Sequence, residues 1–214
     1  MKINTVDTTF QSRNSTIRFA DDIARRVNQC YPRKSASLIT SMKNIDRFKS
    51  LETRLSEGIA QMRQTKRDRL FAAKTFPDML RAIVDTIKES KTGNCGESAE
   101  LSAIVAKANG IQNCYLAEVE GEYGNDLDHT VLYVNDKIPY VIDSWLGFAD
   151  YVPNAVARYK NEYLKYFDEY YMNQKIVFTK KDMGVDYFLN YKFSDFAVKS
   201  LREQFPETVI RKSS

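Results

Sequence analysis

The sequence predicts an α+β fold, because its two parts carry different hydrophobic periods. Through residues 16–90 apolar side chains recur at three- and four-residue steps, as on one face of a helix. After Gly93 short runs rich in β-branched and aromatic residues alternate with turn signals. Helices and strands are therefore segregated along the chain, which favours α+β over alternating α/β. At 214 residues, 43% hydrophobic and 12% aromatic, the chain can bury one substantial core. The expected division is a lead-in over 1–15, then one α+β domain, helical over 16–90 and carrying the chemistry over 91–214.

Residues 1–15 are polar and rich in Ser, Thr and Asn, and predict an extended or flexible lead-in. From Thr16 to Cys30 the steps Ile17, Ala20, Ile23, Ala24 and Val27 predict a helix. Tyr31-Pro32 closes it, since the residue before proline is pushed out of the helical region. Ser35 to about Lys74 predicts one or two helices, marked by Leu38, Met42, Ile45, Phe48, Leu51 and Leu55. Pro77 opens another, through Met79, Leu80, Ile83, Val84 and Ile87, which ends before Thr92-Gly93. Ala99–Ala108 is a compact apolar helix stopped by Asn109-Gly110.

Three strands follow at Asn113–Glu120, Thr130–Asn135 and Pro139–Ile142, the last two joined by a tight hairpin at Asn135-Asp136-Lys137. Asn154–Met172 returns to helix, with Tyr159, Tyr163, Tyr166 and Tyr170 on a face expected to pack on the core. Lys175–Thr179 predicts a short strand. Ser194 caps a final helix that reaches Gln204.

Charge and cysteine usage exclude several functions. The 32 basic and 28 acidic residues nearly balance at a net +4, short of the basic excess expected of a nucleic-acid binder. Met62–Arg69 is locally basic and is expected to be a solvated helix face. Cys30, Cys95 and Cys114 are odd in number and widely spaced, which argues against a disulfide framework and for a reducing place of action. With one histidine and no short ligand spacing, no metal is expected. Neither an apolar leader core nor a run of roughly 18 apolar residues is present, so a soluble monomer without a membrane span is expected.

The chemistry concentrates in Asn94-Cys95-Gly96-Glu97, His129 and Asp143. Asn94 with Glu97 three residues on fits a capping box, which sets Cys95 in the first turn of its helix. Backbone N–H groups at a helix start favour thiolate over thiol and can receive an oxyanion. Gly93 and Gly96 leave room for a substrate backbone. A nucleophile needs a base and the base an orienting group, and His129 is the only histidine available. His129 is expected at the polar end of its strand, after a loop over Gly121–Asp128. In a hairpin turning near Asp136, His129 and Asp143 are equidistant from the turn and become cross-strand neighbours. Trp145 is expected either to cover the His–Asp bond or to serve as a core aromatic. Cys30 and Cys114 read as small buried hydrophobes.

These residues resemble the papain-like fold and its transglutaminase-like relatives. Asp128-His129-Thr130-Val131 is similar to their histidine strand, and Asp143-Ser144-Trp145 resembles their Asn-Ser-Trp. The match covers Gly93–Trp145, about a quarter of the chain. It implies a nucleophile helix packed on an antiparallel sheet, with Cys95 as nucleophile, His129 as base and acid, and Asp143 as orienting group. Asn94, Gly96 and Trp145 would position substrate or oxyanion, and no cofactor would be required. One departure is Glu89, which stands six residues before the cysteine where papain-like proteases carry a glutamine donor. The implied activity is cleavage or deamidation of an amide in a protein substrate through a thioester. Bacterial effectors that act on host proteins share this plan, so a host protein is an expected substrate, reached without a cleaved leader. The alternatives are acyl transfer to an amine, as in transglutaminases, and a non-catalytic helical binding protein with a degenerate triad.

Overall fold

A computed structural model describes residues 8–31, 46–122, 126–163, 175–182 and 184–210. Among them it has six α-helices and one five-stranded antiparallel sheet, an α+β architecture. Helix α1 (Thr8–Cys30) begins at Thr8 rather than Thr16, so residues 8–15 are helical and not an extended lead-in. Polar Ser, Thr and Asn lower helix propensity by only tenths of a kcal/mol each, too little to stop a helix already nucleated by its buried turns. Its buried stripe is Ala20, Ile23, Ala24 and Val27, as the periodicity predicts. Residues 32–45, with Leu38, Met42 and Ile45, lie outside the described residues.

Helices α2 (Asp46–Ala72) and α3 (Phe76–Ser90) pack against each other. Thr75 caps α3 in a reciprocal box with Asp78, and Pro77 occupies its first turn, where no backbone donor is needed. Lys91, in the left-handed region at φ 54°, ends α3 and turns the chain toward α4 (Cys95–Ala108). Gly110, at φ 93°, follows α4, a backbone conformation most side chains disfavour.

The sheet runs β4-β3-β2-β1-β5, with β1 Cys114–Gly121, β2 Asp126–Val134, β3 Tyr140–Asp143, β4 Phe148–Tyr151 and β5 Ile176–Lys180. Strand β4 is absent from the sequence expectation. Four residues give no readable period, and its pairing with β3 depends on the turn at Gly147 (φ 79°), whose N–H donates to Asp143 O at 2.8 Å. Strand residues alternate between two cores. Cys114, Leu116, Leu132, Val134, Tyr140 and Ile142 face the main core shared with α1, α3, α4 and α6 (Asp195–Gln204). Ala117, Val119, Val131 and Val141 face a smaller core with Phe148, Ala155, Tyr159 and Ile176.

Helix α5 (Val152–Arg158) gives way to a π-helical turn at Tyr159–Tyr163. The rest of the predicted Asn154–Met172 helix lies outside the described residues, including Tyr166 and Tyr170. Ser194 caps α6 as predicted, accepting from Ala197 N–H at 3.2 Å.

Candidate active site

Helix α4 carries Cys95 at its first residue because Asn94 is held as its cap. The Asn94 backbone N–H donates to Glu97 Oε2 at 2.8 Å, and its carbonyl accepts from Ser98 N–H at 3.1 Å. The Glu97 carboxylate is buried and is gripped from α2 by Arg63, at 2.7 Å from Nε and 3.2 Å from a terminal nitrogen. Burial alone would raise the Glu97 pKa, but the Arg63 hydrogen bond and charge, then Lys66 and the Asn94 N–H, hold it below the usual range. Cys95 is half-buried, and beside it Gly96 fronts open space: a Cβ built there meets nothing within 4 Å.

His129 lies inside β2, opposite Val119, and is 2% exposed. This corrects its expected place at a strand's polar end, since β2 starts at Asp126. The β2–β3 ladder pairs Leu132 with Ile142, Tyr133 with Val141 and Val134 with Tyr140, so the hairpin centres on Lys137 and not Asp136. Continued by one residue, this register sets Asp143 opposite Val131, one diagonal step from His129. A shift of two residues preserves the sheet face, and diagonal neighbours remain within reach of long side chains. His129 Nε2 lies 2.6 Å from Asp143 Oδ2.

Asp143 is 1% exposed, and its carboxylate is met by four hydrogen-bonding groups among the described residues. Oδ2 also accepts from the Tyr159 hydroxyl at 3.0 Å. Oδ1 accepts from the backbone N–H groups of Trp145 at 3.1 Å and Leu146 at 2.9 Å. A buried carboxylate so satisfied is fixed in place. Next to it, Ser144 Oγ meets Ser102 Oγ at 2.6 Å, tying the end of β3 to α4.

The Asp143 carboxylate takes the Nε2 end of the imidazole, and Cys95 is near enough to the same ring to raise its pKa. Burial would lower the His129 pKa. The charge and hydrogen bond of Asp143, then the hydrogen bond and charge of Cys95, outweigh it and raise the ring from 6.5 to about 10. Aromatic rings flank it: Trp145 at 5.4 Å between centroids, half-buried, and Tyr159 edge-on at 5.7 Å.

The structure thus brings Cys95, His129 and Asp143 together, with Trp145 against the ring and Asn94 and Gly96 at the helix start. Glu89 is exposed on α3 and pairs with Arg69 at 2.8 Å. Among the described residues no group of three or more His, Cys, Asp and Glu is arranged to hold a metal ion.

Two features were not expected. Tyr159, expected on a core-packing face, packs in the smaller core and also donates to Asp143. The stretch Met62–Arg69 is not simply a solvated face, because Met62 and Lys66 are buried and Arg63 reaches Glu97. Lys66 pairs with Glu100 and lies 3.5 Å from Asp186. A sequence signal existed: Glu97 and Glu100 lie three apart on a largely apolar helix, and Arg63 and Lys66 share that spacing.

No described helix is long and apolar enough to cross a membrane. The chain matches no protein-family model, no curated protein and no solved structure.

Proposed function

We propose that the protein is a thiol hydrolase that cleaves or deamidates an amide in a protein substrate, with Cys95 as nucleophile and His129 as acid and base. The observation that carries this is the single histidine bonded through Nε2 to buried Asp143, with Cys95 near enough to the ring to raise its pKa. A protonated ring beside a thiol favours the thiolate, which is the nucleophilic form. A helix start beneath it favours the same charge.

The Cys95 thiolate attacks the amide carbonyl carbon, and backbone N–H groups at the start of α4 face the developing oxyanion. The imidazolium of His129 gives its proton to the departing nitrogen as the C–N bond breaks, leaving a thioester. Neutral His129 then takes a proton from water as its oxygen attacks the thioester carbon. Collapse of that intermediate expels the thiolate and releases a carboxylic acid. Asp143 and Tyr159 position the ring and hold the Nε2 proton, so that the reacting proton is exchanged at the other ring nitrogen. The papain-like and transglutaminase-like plan belongs to the same proposal, supported by a cysteine that opens a helix packed on an antiparallel sheet.

Mass spectrometry of a peptide library, incubated with wild type and with Cys95→Ala, tests the activity. Exchange of NH2 for OH means deamidation, shortened peptides mean proteolysis, and loss of ammonia with joining to an amine means transamidation. Products absent from the Cys95→Ala sample are expected. Identical spectra for both proteins would leave a non-catalytic binding protein.

A further inference from the structure

We propose that Arg63 selects substrates of this hydrolase that carry a carboxylate, from an acidic side chain or a chain end, close to the amide attacked by Cys95. The proposal rests on Cys95 being the nucleophile, and adds the charge that a substrate carries beside the reacting bond.

Two basic residues of α2 grip buried glutamates of the nucleophile helix α4, and they differ in exposure. The Lys66 side chain is 7% exposed and sealed between Glu100 and Asp186. Arg63 pairs closely with Glu97, yet its side chain is 48% exposed. A guanidinium carries five N–H donors in a planar fork. Nε and Nη2 meet Glu97 Oε1 and Oε2 at 2.7 and 3.2 Å, which uses one edge of that fork. No further hydrogen bond or ion pair engages Arg63 among the described residues. The other edge, Nη1 with the second N–H of Nη2, can therefore receive a carboxylate in the same bidentate way. Because Glu97 already fixes the guanidinium, little freedom is lost when an anion binds it.

The cap of α4 sets where this cation stands. Arg63 Nη2 and the Asn94 N–H meet the same oxygen, Glu97 Oε2, at 3.2 and 2.8 Å. Asn94 directly precedes Cys95, so the guanidinium is two hydrogen bonds from the residue before the nucleophile. Cys95 is half-buried and Gly96 fronts open space, so this end of α4 is accessible. The Glu97 hydrogen bond raises the Arg63 pKa and burial opposes it. The charges of Glu97, Glu100 and Cys95 add to the rise, so Arg63 stays cationic and within electrostatic reach of the nucleophile. An extended peptide advances about 3.5 Å per residue, so a carboxylate one or two residues from the reacting bond can span the gap.

Charge decides which group is taken. A substrate ammonium would be repelled by Arg63 and by protonated His129, and a neutral group would leave the charge-assisted bonds of the fork unmade. A carboxylate alone would disfavour the Cys95 thiolate, and Arg63 offsets that repulsion.

The test uses double-headed epoxysuccinyl peptides, which place residues on both sides of the carbon that Cys95 attacks. On an alanine background, isosteric glutamate or glutamine is placed in turn at each position, and a free chain end is compared with its amide. Cys95 labelling is followed by mass spectrometry in wild type, Arg63→Lys and the double variant Arg63→Gln, Glu97→Gln, which strands no buried charge. Each ratio compares two probes on one protein, so a general loss of reactivity cancels. Wild type is expected to prefer the charged probe about tenfold at one position or at the chain end, which also tells the two carboxylate sources apart. The preference should shrink in Arg63→Lys, vanish in the double variant, and collapse in wild type when NaCl is raised from about 0.05 to 1 M. No preference in wild type, one that resists salt, or one that survives in the double variant overturns the role of Arg63. If iodoacetamide labelling of Cys95 does not depend on His129, the hydrolase itself fails and this selectivity with it. If that dependence holds and no carboxylate preference is seen, the selectivity alone fails.

Discussion

The Tyr159 hydroxyl donates at 3.0 Å to Asp143 Oδ2, the oxygen that also meets His129 Nε2 at 2.6 Å. The same tyrosine stands edge-on to the imidazole, at 74° between ring planes. One residue from the π-helical turn after α5 thus fixes both partners of the His–Asp pair. The carboxylate is held from one side by this phenol and from the other by the N–H groups of Trp145 and Leu146.

Tyr159→Phe keeps the ring and removes the donor. Folding stability should fall by about 1 kcal/mol, as for one hydrogen bond, read from the urea midpoint. The His129 titration should also move upward, because Asp143 no longer shares its charge with a phenol. A tyrosine that served packing alone would leave that titration where it was.

His129 is the only histidine, so its NMR titration is unambiguous. A midpoint near 10 is expected in wild type. Asp143→Asn removes the largest of the contributions that together outweigh burial, and burial lowers a histidine pKa. The midpoint should then fall well below the wild-type value. A wild-type midpoint near that of a free histidine would contradict the pairing.

Stability should follow the same proton. The folded ring holds it up to about pH 10, whereas the unfolded chain releases it near 6.5. The stabilisation is therefore fully present below about 6.5 and is lost as pH rises through about 10. Urea midpoints measured across that window should fall more steeply for wild type than for Asp143→Asn.

Arg63→Met should loosen the cap that carries Cys95. It strands the buried Glu97 carboxylate, a loss worth about 3–5 kcal/mol for a fully buried pair. Arg63 is 48% exposed, so solvent screens its share and about 2 kcal/mol is expected. The double variant Arg63→Met, Glu97→Gln should recover part of the loss in a urea melt, because no charge is then stranded. Additive losses would mean that the two do not act as a pair.

What could be read from the sequence was local. The start of α4 is coded within four residues, since Asn94 and Glu97 cap each other, and the same holds for Ser194 on α6. The His129–Asp143 contact was legible because both lie on strands of one hairpin. Its register was misplaced because the turn residues 135–137 do not fix their own centre, and the contact survived because a two-residue shift keeps the face. Tyr159 was not legible: it reaches Asp143 across the second core, with no local signal to link them. Arg63 and Lys66 looked solvated because a charge run does so until the buried acids facing it are known. Strand β4 was missed because its four residues become a strand only by pairing with β3.

The most direct test of the central claim is the alkylation rate of each cysteine by iodoacetamide near neutral pH, resolved by peptide mass spectrometry in wild type and His129→Ala. Cys95 should react at least tenfold faster than Cys30 or Cys114, as expected of a thiolate set against thiols, and His129→Ala should erase that lead. Equal, slow labelling of all three cysteines, or a lead that persists without His129, would contradict it.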